Sequence, residues 1–222
     1  MLIKRSLTVI AVLSVALSTV QIAQADFMQY NGQIRTKSVD VRAKNSLAGR
    51  NFQTSAGQVK IGYQGVDYLG HCVDVFDRSG SAEVTEAPYT VLRNGGEIAY
   101  LFETNSPDIT TREQAAGLQV AIWELLYEKN TTLDFNLDSG NFKITNNNVI
   151  DDANGMLDYM RANMPDNYLP TLDLVVLQSP CKQDMLIGRE PPVIPEPATV
   201  TLLAIGGLLI LKKRRRTAVR TA

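Results

Sequence analysis

The chain is 222 residues long and nearly neutral, with 22 Lys plus Arg against 23 Asp plus Glu, and it holds two Cys and a single His. One His and two Cys exclude a three-His or four-Cys zinc site, and no Gly-x-Gly-x-x-Gly or Walker-type phosphate loop occurs. With 45% hydrophobic and 20% charged residues, the composition fits one globular domain rather than a disordered chain.

The first elements in chain order belong to export. Lys4 and Arg5 precede an apolar stretch over residues 7–20, and Ala23-Gln24-Ala25 has the small-x-small pattern of a signal-peptidase site. Residues 1–25 therefore read as a signal peptide cleaved after Ala25. The domain expected to remain spans residues 26–190.

Its first part reads as short strands at residues 38–42, 58–63, 66–76 and 87–92, punctuated by Gly and Asn. In the third run, Leu69, His71, Val73 and Val75 alternate with Tyr68, Gly70, Cys72, Asp74 and Phe76, as in a strand with two different faces. Ile98, Leu101 and Phe102 predict a short helix over 97–103. The clearest helix covers 112–128, with Thr110 and Glu113 in capping-box spacing. A further helix is expected over 150–163, where Ile150, Ala153, Leu157 and Met160 recur at helical spacing and Pro165 follows. Residues 171–177 and 182–187 read as closing strands. The expected fold is α+β: a β-rich, sandwich- or barrel-like domain with a small helical part.

Residues 191–222 form a separate tail. Pro195-Glu196-Pro197 is followed by an uncharged run over 198–211 that contains Gly206-Gly207, and then by Lys212, Lys213, Arg214, Arg215 and Arg216. A helix over that run predicts a short transmembrane sorting helix with its basic end on the cytoplasmic side. This order resembles the PEP-CTERM sorting signal of Gram-negative surface proteins. The resemblance implies recognition by exosortase-type machinery, a membrane-anchored precursor held through 198–211, and delivery to the cell surface or extracellular biofilm matrix. Between residues 26 and 197 the chain carries 14 basic and 23 acidic side chains, a net −9. Such a surface repels phosphate backbones, so nucleic acid is not an expected partner.

Two positions within the domain suggest chemistry. On the main helix Gln119 falls among Ala115, Ala116, Ile122, Trp123 and Leu126, so its amide is expected in an apolar stripe, where unmet hydrogen bonds cost about 1–3 kcal/mol. Either a strand edge satisfies it, or a thiol replaces its nitrogen. Cys72 is the candidate thiol, although two Cys in an exported chain also suggest a Cys72–Cys181 disulfide. His71 adjoins Cys72, but neighbours on a strand point to opposite faces, which favours a surface or packing role for it. The acidic pairs Asp74 with Asp77 and Asp151 with Asp152 read as solvated surface.

The segments Gly70-His71-Cys72-Val73-Asp74 and Gln119-Val120-Ala121-Ile122-Trp123 resemble the bacterial Cys-Gln thioester domain family, with Leu118 where many Gram-positive members carry Thr. The resemblance implies an internal thioester between Cys72 and Gln119, supported by Ala121, Ile122 and Trp123. It implies covalent attachment to an extracellular amine or hydroxyl, on a matrix protein or polysaccharide, in one turnover and without cofactor or metal. Such a protein is an adhesin rather than an enzyme, and Cys181 is then free or paired between molecules. The alternative is a disulfide-stabilised module that binds exopolysaccharide noncovalently or serves as a structural surface protein.

Overall fold

A computed structural model describes residues 26–43, 51–128, 137 and 142–190. The expectations for the signal peptide with Ala25, the motif Pro195, Glu196 and Pro197, the apolar run 198–211 and Arg214, Arg215 and Arg216 all lie outside these residues. Among the described residues no helix is long and apolar enough to cross a membrane.

The fold is sheet-rich α+β. Among the described residues it has seven strands, β1 Asp26–Ala43, β2 Asn51–Tyr63, β3 Val66–Cys72, β4 Ala82–Pro88, β5 Phe142–Ile144, β6 Asp173–Gln178 and β7 Met185–Arg189, and three α-helices, α1 Gly95–Asn105, α2 Arg112–Tyr127 and α3 Asn147–Asn163. The strands run in the order β2-β3-β7-β6-β4-β1-β5, and β1 also pairs with β2, so six of them return to their start. Every pairing is antiparallel. β1 makes this closure possible by its length. Its first residues pair with β4, most of it pairs with β2, and its end also pairs with β5. Gln64 and Gly65, both at positive φ, turn β2 into β3, the conformation that a two-residue hairpin favours.

The helical layer covers one side of this sheet. α2 packs on β2 and β1 and is flanked by α3 and α1. It is buried on every side over residues 115–125, a wider burial than the one-sided stripe expected of it, because α1, α3, β1, β2 and β5 all pack against it. Gly117 lets α3 approach: a Cβ there would stand 2.7 Å from the Asp152 Cβ. Ile150, Ala153, Leu157 and Met160 form the buried face of α3, as their spacing predicts.

Several boundaries differ from the sequence expectation. The expected strand over 66–76 stops at Cys72, opposite Met185, the first residue of β7. The strand expected over 87–92 is instead β4 followed by a single 3-10 turn, Tyr89–Val91, since Pro88 has no N–H with which to continue a ladder. The cap of α2 is one residue later than expected. The Thr111 hydroxyl accepts the Gln114 N–H at 3.1 Å, and the Gln114 side chain accepts the Thr111 N–H at 3.1 Å. Glu113 points instead to Lys37, with Nζ and Oε1 2.5 Å apart.

Candidate functional site

The site is built where β3 runs out of strand partners. β2 pairs with β3 only as far as Gly70, which faces Val59. On the other side the Val73 N–H donates to the Asp184 carbonyl at 2.9 Å. In an antiparallel ladder consecutive residues turn their backbone groups to opposite neighbours, so the N–H and C=O of Cys72 point away from β7, toward the gap that β2 leaves.

Gln119 fills that gap. The Cys72 N–H donates to Gln119 Oε1 at 2.9 Å, and Gln119 Nε2 donates to the Cys72 carbonyl at 2.6 Å. The backbone settles the orientation of the amide, since an N–H requires an acceptor and a C=O a donor. Trp123, one helical turn on, donates its indole N–H to the same Cys72 carbonyl at 3.1 Å. Tyr127, a further turn along, accepts the Val75 N–H at 3.2 Å and donates to the Val73 carbonyl at 3.4 Å. Gln119, Trp123 and Tyr127 thus lie at i, i+4 and i+8 on α2, and together they hold the chain from Cys72 to Val75.

The surroundings are dry. Gln119 is 1% exposed, Cys72 7%, and Ala121, Ile122 and Trp123 are wholly buried. Trp123 closes the site from the helix side through its bond to the Cys72 carbonyl. Phe76, in the loop that follows β3, stands edge-on to Tyr127 at 5.5 Å and to Phe52 at 5.6 Å. Tyr68 lines a separate cavity of about 500 Å³ with Arg35, Gln58 and Phe102.

The Cys72 thiol donates to the Asp74 carbonyl at 2.6 Å. Burial pushes its pKa well above the usual thiol range, and the carboxylates of Asp74, Asp184 and Asp77 push it the same way. The resting group is therefore a thiol rather than a thiolate. Asp74 is half-buried, and burial together with Asp77 and Asp184 raises its own pKa. The expected solvated surface thus holds for Asp77, which is exposed, and fails for Asp74.

His71 is fully buried, which leaves the packing role and removes the surface one. Its ring meets Phe102 edge-on at 5.9 Å. Burial lowers its pKa to about 4, and the nearby Gln119 amide acts in the opposite direction. That amide is close without reaching hydrogen-bond geometry, for neither ring nitrogen has a partner among the described residues. Both cysteines are free: Cys72 is buried, and Cys181 lies exposed in the turn between β6 and β7 with its Sγ 4.0 Å from Ser179 Oγ.

The structure thus brings Cys72, Gln119 and Trp123 into direct contact and adds two residues that sequence reasoning did not single out. Tyr127 was detectable as the next i+4 position after Gln119 and Trp123. Asp184 had no sequence signal, because it reaches the site through strand pairing. No family model matches the chain, and neither a curated protein nor a solved structure matches it.

Proposed function

We propose that this chain is an exported surface protein in which Cys72 and Gln119 close an internal thioester that attaches the protein covalently to an extracellular amine or hydroxyl. The observation that carries this reading is the buried Gln119 amide held on the backbone of Cys72 by two hydrogen bonds, of 2.9 and 2.6 Å. The donor to Oε1 is in place before any reaction, so the carbonyl is polarised toward a nucleophile on the same residue.

In the closing step the Cys72 Sγ–Gln119 Cδ bond forms and the Cδ–Nε2 bond breaks. The thiol proton leaves with the nitrogen as ammonia. In the transfer step an amine nitrogen bonds to Cδ, the Cδ–Sγ bond breaks, and one amine proton returns to sulfur. The product amide is stable, so each molecule acts once. The burial of Cys72, Gln119 and Trp123 keeps water from the thioester and so protects it from hydrolysis. The leader and the Pro-Glu-Pro tail support export and exosortase-type sorting to the cell surface or matrix.

A second reading takes Gln119 as purely structural, an amide that stands in for a missing strand residue; its two satisfied hydrogen bonds favour that view. Intact mass separates the two. The thioester reading expects a folded chain lighter by one ammonia, which gains one methylamine at Gln119 and releases the Cys72 thiol. An unchanged mass, and no methylamine adduct, leaves Gln119 structural.

A further inference from the structure

The one imidazole in the chain has no part in the chemistry so far. His71 is 0% exposed, and among the described residues neither ring nitrogen has a partner, a costly way to fill space that a leucine fills without penalty. Its position relative to the amide gives it a use. The peptide N–H linking His71 to Cys72 is the group that donates to Gln119 Oε1. Adjacent strand residues do point to opposite faces, but Gln119 sits at the strand's edge, over neither face. Its amide is pinned to the Cys72 N–H and C=O. The His71 ring lies near that same amide, and Phe102 backs the ring edge-on at 5.9 Å.

We infer that His71 is a second oxyanion donor of the Cys72–Gln119 centre, its neutral ring N–H closing on Gln119 Oε1 as the carbonyl carbon becomes tetrahedral. The inference rests on the thioester reading. In the resting amide the Cys72 N–H alone serves Oε1; the second donor is used only when negative charge develops there, which is the condition for lowering a barrier. The ring gains and loses no proton. The thiol proton still departs with ammonia, and in the transfer step the amine proton still returns to sulfur. Burial keeps the imidazole uncharged, so one N–H is always available.

The test is the single-turnover reaction of the full-length protein with methylamine, followed by intact mass, in wild type, His71→Leu, His71→Asn and His71→Gln. Asn keeps a donor near the place of Nδ1 and Gln near that of Nε2. The leucine variant is expected to react, or to lose its ammonia, slower by about 10²–10³-fold, the usual cost of one oxyanion donor. At least one amide variant is expected to recover most of that loss. A leucine variant with complete ammonia loss and wild-type reactivity overturns the inference. Equal impairment of all three variants also overturns it, since packing alone accounts for that pattern. Should leucine fail to fold, the two amide variants decide: impairment of both overturns the donor role, and near-wild-type reaction of either supports it. A wild-type chain that keeps its ammonia removes the thioester reading, and this inference with it.

Discussion

Acid should destabilise this fold through His71 before most of its carboxylates are protonated. In the folded chain burial holds the ring pKa near 4, against 6.5 for a free imidazole. As pH falls through about 6.5 the unfolded chain binds a proton that the folded chain refuses, so stability is full above that value and declines toward pH 4. The gap of about 2.5 units is worth on the order of 3 kcal/mol in total, of which about 2 kcal/mol is lost between roughly pH 7 and pH 5. Urea unfolding in a Cys72→Ala background, which keeps Gln119 an amide, measures this with and without His71→Leu. Contributions from Asp and Glu cancel in the comparison, and no other histidine is present. The His71-containing protein should lose about 2 kcal/mol more than its leucine partner over that interval. Parallel stability curves would refute the buried, neutral imidazole on which the reasoning stands.

Other substitutions test the site and its support. Cys72→Ala should retain its ammonia and take up no methylamine while unfolding cooperatively, checked by intact mass and urea titration; methylamine on Gln119 in that variant would end the thioester proposal. Gln119→Leu strands the buried Cys72 N–H, while Trp123 still serves the carbonyl, so a loss of about 1–3 kcal/mol is expected in urea. Gly117→Ala drives a Cβ to 2.7 Å from Asp152 Cβ and 3.2 Å from the Ala153 nitrogen. It should cost about 1–3 kcal/mol and slow methylamine labelling, because α2 carries Gln119. Thr111→Ala removes the cap of α2 and should cost about 1 kcal/mol, whereas Thr110→Ala, which leaves the Thr111 cap in place, should cost less; comparison of their urea midpoints checks the register of the capping box.

Helices were the most legible part of the fold. Helical spacing of apolar residues identified α2 and α3, and proline after the last turn marked where α3 ends. The start of α2 was ambiguous for a specific reason: Thr110 with Glu113 and Thr111 with Gln114 are overlapping boxes. The contact of Glu113 with Lys37, on β1, goes with the second of them. Strand ends were less legible because a strand lasts only as long as its partners, as β3 shows at Cys72 opposite Met185. Periodicity placed His71 and Cys72 on opposite faces, but it did not show that α1 buries the His71 face with Phe102.

By itself, the sequence determined the residue types and the local order: a thiol in a β-like run, an amide among apolar helix positions, a Trp one turn later, and a domain with an acidic balance. Each of these depends on neighbours within about one or two turns or a few strand residues. What joined the thiol-bearing residue to the amide across 47 positions was the tertiary structure. β2 leaves β3 at Gly70, the N–H and C=O of Cys72 are left without a strand partner on that side, and α2 supplies Gln119 in its place. A buried N–H and C=O must find partners wherever the fold leaves them, and that requirement, visible only once the strands are paired, makes Cys72 and Gln119 a site.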